Sequence, residues 1–102
     1  MHGGNIETSL MMTLAPELVR MEALANFASR AEQLVETGRL LNAEKPIGFG
    51  WMTQDLNPKG VLGDASAASP EQGLLLLNHM ANQLATVCQD LANAPADLLK
   101  DA

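Results

Sequence analysis

The chain has 102 residues, enough for one domain with one core, and its 47% hydrophobic and 18% charged residues exclude disorder over the whole length. The formal net charge is −6, from 12 acidic and 6 basic residues. The only basic cluster, Arg30, Arg39 and Lys45, is thin and interspersed with acids, so a nucleic-acid partner is not expected.

Cys88 is the single cysteine, so no internal disulfide can form and a reducing compartment is the natural reading. Residues 1–20 carry neither a basic leader nor a continuous apolar core, so no signal peptide is expected. The longest apolar run, Leu74 to Leu77, is far too short to span a membrane. A cytoplasmic location follows by elimination.

In chain order, the opening His2-Gly3-Gly4-Asn5 reads as a loop entering a helix. Ile6, Leu10, Met11 and Leu14 then share one helical face. Pro16 bounds that helix and opens a second short one through Glu17–Met21. Ser29-Arg30-Ala31-Glu32 has the form of a capping box. The helix it starts carries Ala31, Leu34, Val35 and Leu41, is weakened at Gly38, and ends at Lys45-Pro46.

Large apolar residues alternate with glycines from Ile47 to Met52, which predicts a short strand. A loop follows from Asp55 to Gly60, and Val61-Leu62 is a second short extended piece before Gly63-Asp64. Ser69-Pro70-Glu71-Gln72 is the clearest helix start, with an N-cap serine and proline at the first helical position. Leu74, Leu77, Ala81, Leu84, Cys88 and Leu91 follow at spacings of three and four residues, and the helix runs to about Asn93 before Pro95. Asp97–Asp101 adds one frayed turn. The fold class expected from this pattern is mostly α with one or two short strands.

The chemistry concentrates in His2-Gly3-Gly4-Asn5-Ile6-Glu7-Thr8-Ser9-Leu10-Met11. An imidazole and a carboxylate lie five residues apart across a glycine-rich turn. Glycines allow close backbone approach to a ligand, and a carboxylate in the first turn of a helix meets the positive end of the dipole and stays ionised, as a metal ligand must. The same residues also fit an ordinary helix with an acidic first turn.

This segment, with Leu14-Ala15-Pro16-Glu17-Leu18-Val19, resembles the His-Ala-Gly-x-x-Glu-Thr-Ser-Leu-Met…Pro-Glu-Leu-Val stretch of creatininase-family enzymes. Gly50-Trp51-Met52-Thr53-Gln54-Asp55-Leu56-Asn57-Pro58-Lys59-Gly60-Val61-Leu62-Gly63-Asp64 resembles the family's Trp-x-x-x-Asp-Leu-x-Pro-x-Gly-Val-x-Gly-Asp block. Ala68-Ser69-Pro70-Glu71-Gln72-Gly73 resembles its Ala-Thr-x-Glu-x-Gly helix start. Together the three motifs liken residues 1–102 to the C-terminal part of an α/β/α amidohydrolase, as a single partial domain.

The resemblance implies a two-metal centre, zinc or manganese in full-length members, that activates water against an amide or cyclic amide. Most of its ligands would come from N-terminal segments that these residues do not contain: a Glu-x-His pair, an aspartate and a further histidine. His2 matches the family's active-site histidine, a candidate for proton transfer or substrate positioning, and Glu7 its acidic Glu-Thr-Ser residue, a possible metal-site residue. The residue before the histidine is often acidic in the family; Met1 stands there, at the edge of the motif. Tight metal binding by this chain alone is not expected.

Trp51, Asp55 and Asp64 match positions that would line the substrate pocket, although Trp51 reads equally as core and the two aspartates as turn residues. His79 reads as a helix-face residue and Cys88 as a small core residue on the apolar stripe. Two functions remain open: a segment of an amidohydrolase, inactive alone and completed by an N-terminal half, or a non-catalytic helical protein derived from one. Either would leave apolar surface that favours a homo-oligomer with the Leu74, Leu77, Leu84 and Leu91 face buried.

Overall fold

The structure, a computed structural model, describes residues 2–97. It is mostly helical, with a few very short strands. Four α-helices occupy Asn5–Leu14 (α1), Arg30–Glu36 (α2), Thr53–Leu56 (α3) and Pro70–Ala92 (α4). Four two-residue strands, Asn26–Phe27 (β1), Leu41–Asn42 (β2), Ile47–Gly48 (β3) and Gly63–Asp64 (β4), form two separate pairs. β1 and β4 are antiparallel, with Asn26 opposite Asp64 and Phe27 opposite Gly63. β2 and β3 are parallel, with Leu41 opposite Ile47 and Asn42 opposite Gly48.

Both serine caps form as the sequence predicts. The Ser29 hydroxyl accepts the Ala31 N–H at 3.1 Å, and the Ser69 hydroxyl accepts the Gln72 N–H at 3.1 Å. With Pro70 at its first position, α4 runs 23 residues and closes where the Asn93 side-chain amide donates to the Gln89 carbonyl at 2.9 Å.

Several expected boundaries move. α2 stops at Glu36, well short of Lys45-Pro46, because Gly38 takes a left-handed φ of 65° that ends the helix. The Glu17–Met21 helix is replaced by two 3₁₀ turns, Pro16–Leu18 and Met21–Ala23. Of the Ile47–Met52 strand only Ile47–Gly48 pairs. Beyond it the chain turns into α3, where the Asp55 carboxylate accepts the Met52 N–H at 2.8 Å. The second extended pairing falls on Gly63–Asp64, one step after Val61-Leu62. The turn over Asp97–Asp101 lies, beyond Asp97, outside the described residues.

The core is small. Ala43, Leu56 and Leu62 form one buried cluster, with Ala31 and Trp51 packed against it; Met12 and Ala65 are buried between α1 and its neighbours. The radius of gyration is 18.8 Å, against about 13 Å for a compact chain of this length. The accessible surface is 7815 Å², against roughly 5500 Å² for a closed monomer of this mass. α4 accounts for much of the extension: from Asn78 to Asn93 every residue is exposed.

Candidate functional site

α1 is where the three sequence motifs meet. His2 adopts a left-handed φ of 47° and Gly3 a φ of 105°, which folds the chain sharply into the helix. The fold is pinned on both sides. Leu62 N–H donates to the His2 carbonyl at 3.1 Å, and Gly3 N–H donates to the Glu7 carboxylate. Thr8 adds a hydroxyl bond to the Gly3 carbonyl at 3.3 Å. Gly3 must lack a side chain, because a Cβ there would collide with Val61. Gly4 is buried, and a Cβ added there would come into van der Waals contact with Gly63. The His2–Glu7 turn is thereby laid on the Val61–Gly63 segment.

The third motif joins from the other side of α1. The buried Ser9 hydroxyl accepts the Ser69 N–H at 3.0 Å and donates to the Gln72 side-chain oxygen at 3.3 Å. Thr13 donates to the Pro70 carbonyl at 2.8 Å. At the crossing, Gly73 has no room for a Cβ: it would overlap the Ser9 carbonyl and the Thr13 hydroxyl. Ser9 and Gly73 are positioning residues to which the sequence assigns no role beyond matching the family motifs, since a buried serine and a helix-interior glycine have no periodic signature.

His2 and Trp51, 49 positions apart, stand edge to face, with ring centroids 5.8 Å apart and planes at 74°. Trp51 is half-buried, and its indole N–H donates to the buried Ala43 carbonyl at 2.8 Å. Trp51 packs on the core cluster, one of its two sequence readings, and its ring also stands against the imidazole. His2 itself is exposed. Gly3 and Val61 also wall a cleft of about 450 Å³ shared with Met11, Leu18, Phe27 and Lys59, whose ammonium lies 5.7 Å from the Phe27 ring centre.

The carboxylates are held in local backbone roles. Glu7, the third residue of α1, reaches back to Gly3 N–H in the manner of a capping box. Asp55 accepts from Met52 N–H. Asp64 accepts from Ser66 N–H at 3.0 Å and from the Ser66 hydroxyl, capping the Ala65–Ala67 turn. Among the described residues, no three of His, Cys, Asp and Glu gather closely enough to hold a metal ion. One imidazole and one amide-bound carboxylate do not fit a dinuclear centre, whose cations need several converging ligands each.

His79 lies on the exposed part of α4. Cys88 is exposed as well, contrary to its reading as a core residue: the apolar stripe exists, but nothing in the described chain packs on it there. Among the described residues no helix is long and apolar enough to cross a membrane.

The family model Creatininase, described as creatinine amidohydrolase, matches residues 1–88. No curated protein and no solved structure gives a significant match. The matched span contains the His2–Glu7 turn, Trp51, Asp55, Asp64 and most of α4.

Proposed function

The chain belongs to the creatininase family, and on that premise we propose that it supplies the C-terminal segment of a metal-dependent hydrolase of amides and cyclic amides. The observation that carries the reading is the convergence at α1. The motifs at residues 50–64 and 68–73 both fold back onto the helix of the first motif, whose histidine stands against an aromatic wall.

In this proposal His2 is the group that handles protons. Amide hydrolysis needs water to lose a proton as it attacks the carbonyl carbon, and the leaving nitrogen to gain one as the C–N bond breaks. An imidazole can do either. Trp51 limits the ring's orientations and offers an apolar face to a flat cyclic substrate. Glu7 holds the turn that aims His2, and Asp55 and Asp64 shape two turns that follow Trp51. The metal is a requirement carried over from the family resemblance; among the described residues no third His, Cys, Asp or Glu gathers with His2 and Glu7.

Exposed apolar residues support the segment reading. Leu41 and Ile47, paired in β2 and β3, and Leu40 and Met52 nearby in the chain are each more than half exposed. Parallel strands are normally covered on both faces. A patch of this kind is what the remainder of an α/β/α enzyme would cover.

The test is a chimera in which residues 1–88 replace the matching segment of a working creatininase-family enzyme. The chimera should bind its metals and hydrolyse creatinine or another cyclic amide, and His2→Ala should remove turnover without removing metal. A folded, metal-loaded chimera without turnover on any cyclic amide tried would refute the proposal.

A further inference from the structure

We infer that Val61 is a positioning residue for the proposed hydrolysis: its side chain is the seat of the His2-Gly3 turn and sets how the imidazole meets Trp51. The inference rests on the reading of His2 as the group that handles protons, and the two can fail separately.

His2 needs a holder. Its backbone is left-handed, with a φ of 47°. Residues with a Cβ visit that region uncommonly, and such a conformation persists only where the surroundings enforce it. Glu7 ties Gly3 N–H to α1, which closes the turn but does not fix where the turn as a whole sits. The bond from outside is that of Leu62 N–H to the His2 carbonyl at 3.1 Å. One hydrogen bond fixes one oxygen and leaves the turn free to rock about it.

Val61 stops the rocking. A Cβ on Gly3 would overlap a γ-methyl of Val61. Since a Cβ stands only one bond from its Cα, the Gly3 backbone itself lies in contact with that methyl. Valine is branched at Cβ and stiff about χ1, so the methyl does not swing aside. Val61 is half-buried, at the wall of the cleft it shares with Gly3, and is not part of the core cluster. Trimming it therefore moves the turn more than it weakens the fold.

The seat is anchored on the core. Leu62 is 1% exposed and belongs with Ala43 and Leu56 to the cluster against which Trp51 packs. Just beyond it, Gly63 and Asp64 pair with Phe27 and Asn26, and Ala65 N–H donates to the Ala25 carbonyl at 3.0 Å. Val61 and Leu62 thus serve both members of the His2–Trp51 pair, one under the turn that carries the imidazole and the other in the cluster under the indole. This two-residue link sets the 5.8 Å between the ring centroids.

Nuclear magnetic resonance of the full chain reads the seat without any activity. Nuclear Overhauser contacts should join the Val61 methyls to the Gly3 α-protons, and the His2 ring to the Trp51 ring. Val61→Ala should lose the contact between the rings while the indole N–H resonance stays in place, because its bond to Ala43 is untouched. Val61→Ile keeps both γ carbons, has the cleft for its extra carbon, and should keep the contact. In the chimera, Val61→Ala should lower kcat by about 10- to 100-fold, since a displacement of about 1 Å costs up to about a hundredfold. KM and metal content should not change, and Val61→Ile should restore the rate. Absence of the Val61–Gly3 contact in the unaltered chain overturns the inference, whether or not the alanine variant folds. So does an alanine variant that keeps the ring contact, or one whose lost rate comes with lost metal or a raised KM. A chimera silenced by His2→Ala but indifferent to Val61→Ala sinks this inference alone, whereas one still active without His2 sinks the reading of His2 and this inference with it.

Discussion

The Ser9 hydroxyl, buried in the middle of α1, accepts the backbone N–H of Ser69 at 3.0 Å, one residue before α4 begins. This bond joins the motif that carries His2 to the motif that opens the last helix. Ser9→Ala removes the acceptor and leaves that amide and the Gln72 side chain without their partner. An unsatisfied part-buried donor costs about 1–3 kcal/mol. Chemical denaturation should show a midpoint lowered by a loss in that range, and an unchanged midpoint would mean water replaces the hydroxyl at no cost.

Gly73 lies at the same crossing, and its substitution should be worse. A methyl group there meets the Ser9 carbonyl, which is backbone and cannot swing aside. Gly73→Ala should lower stability by about 1–3 kcal/mol or more through overpacking, although alanine is the better helix former by about 1 kcal/mol. Gly50→Ala, where a Cβ meets open space, is the matched control and should be tolerated. Thermal melts of the two variants give the comparison, and a stabilised Gly73→Ala protein would show that α1 and α4 do not cross this closely.

Glu7 gives a third expectation. Its carboxylate holds Gly3 N–H across the entry to α1. Glu7→Ala should cost about 1 kcal/mol, the usual value of a helix cap, and Glu7→Gln, which keeps an acceptor oxygen, should cost less. Urea denaturation separates the two. Equal losses would place the value of Glu7 in its charge at the helix N-terminus and not in the bond to Gly3.

Local chemistry explains which elements were legible in the sequence. Ser29 and Ser69 announce their helices because a cap works through the next three residues, and both caps form as expected. Periodicity alone runs α2 too far, because in sequence Gly38 reads as a weak helix interior whereas its left-handed backbone makes it a stop. α3 has four residues and each strand two, about one period of its hydrophobic pattern and too short to show a repeat, so Ile47–Met52 reads as one strand where there is a pair of residues, a bend and a helix. His2 and Glu7 were legible as a turn with chemistry. The contacts of His2 with Trp51 and of Ser9 with Ser69 are not, because they span 49 and 60 positions and depend on tertiary packing. Cys88 shows the limit of periodicity: the stripe predicts an apolar face, and whether a partner covers that face is a separate matter.

Metal titration probes the site directly. His2 is one imidazole, and the carboxylates of Glu7, Asp55 and Asp64 each accept a local backbone amide. Calorimetry of the 102-residue chain with zinc or manganese should therefore show no pair of tight stoichiometric sites. Two submicromolar sites per chain, lost together in His2→Ala and Glu7→Gln, would mean that these residues rearrange to build the centre themselves.

Trp51 links the site to the core, and two substitutions separate its roles. Trp51→Phe keeps an aromatic wall for His2 but deletes the indole donor, leaving the buried Ala43 carbonyl without its 2.8 Å partner. Trp51→Ala deletes both the donor and the ring that packs on Ala43, Leu56 and Leu62. The phenylalanine variant should lose about 1 kcal/mol, the typical net value of one hydrogen bond. The alanine variant should lose about 3 kcal/mol, the lower end of the range for large aromatic truncations because Trp51 is only half-buried. Trp51 is the only tryptophan, so unfolding must be followed by circular dichroism and not by intrinsic fluorescence. Equal losses in the two variants would mean that the ring contributes nothing beyond its N–H, and that the aromatic wall beside His2 is not held by the core.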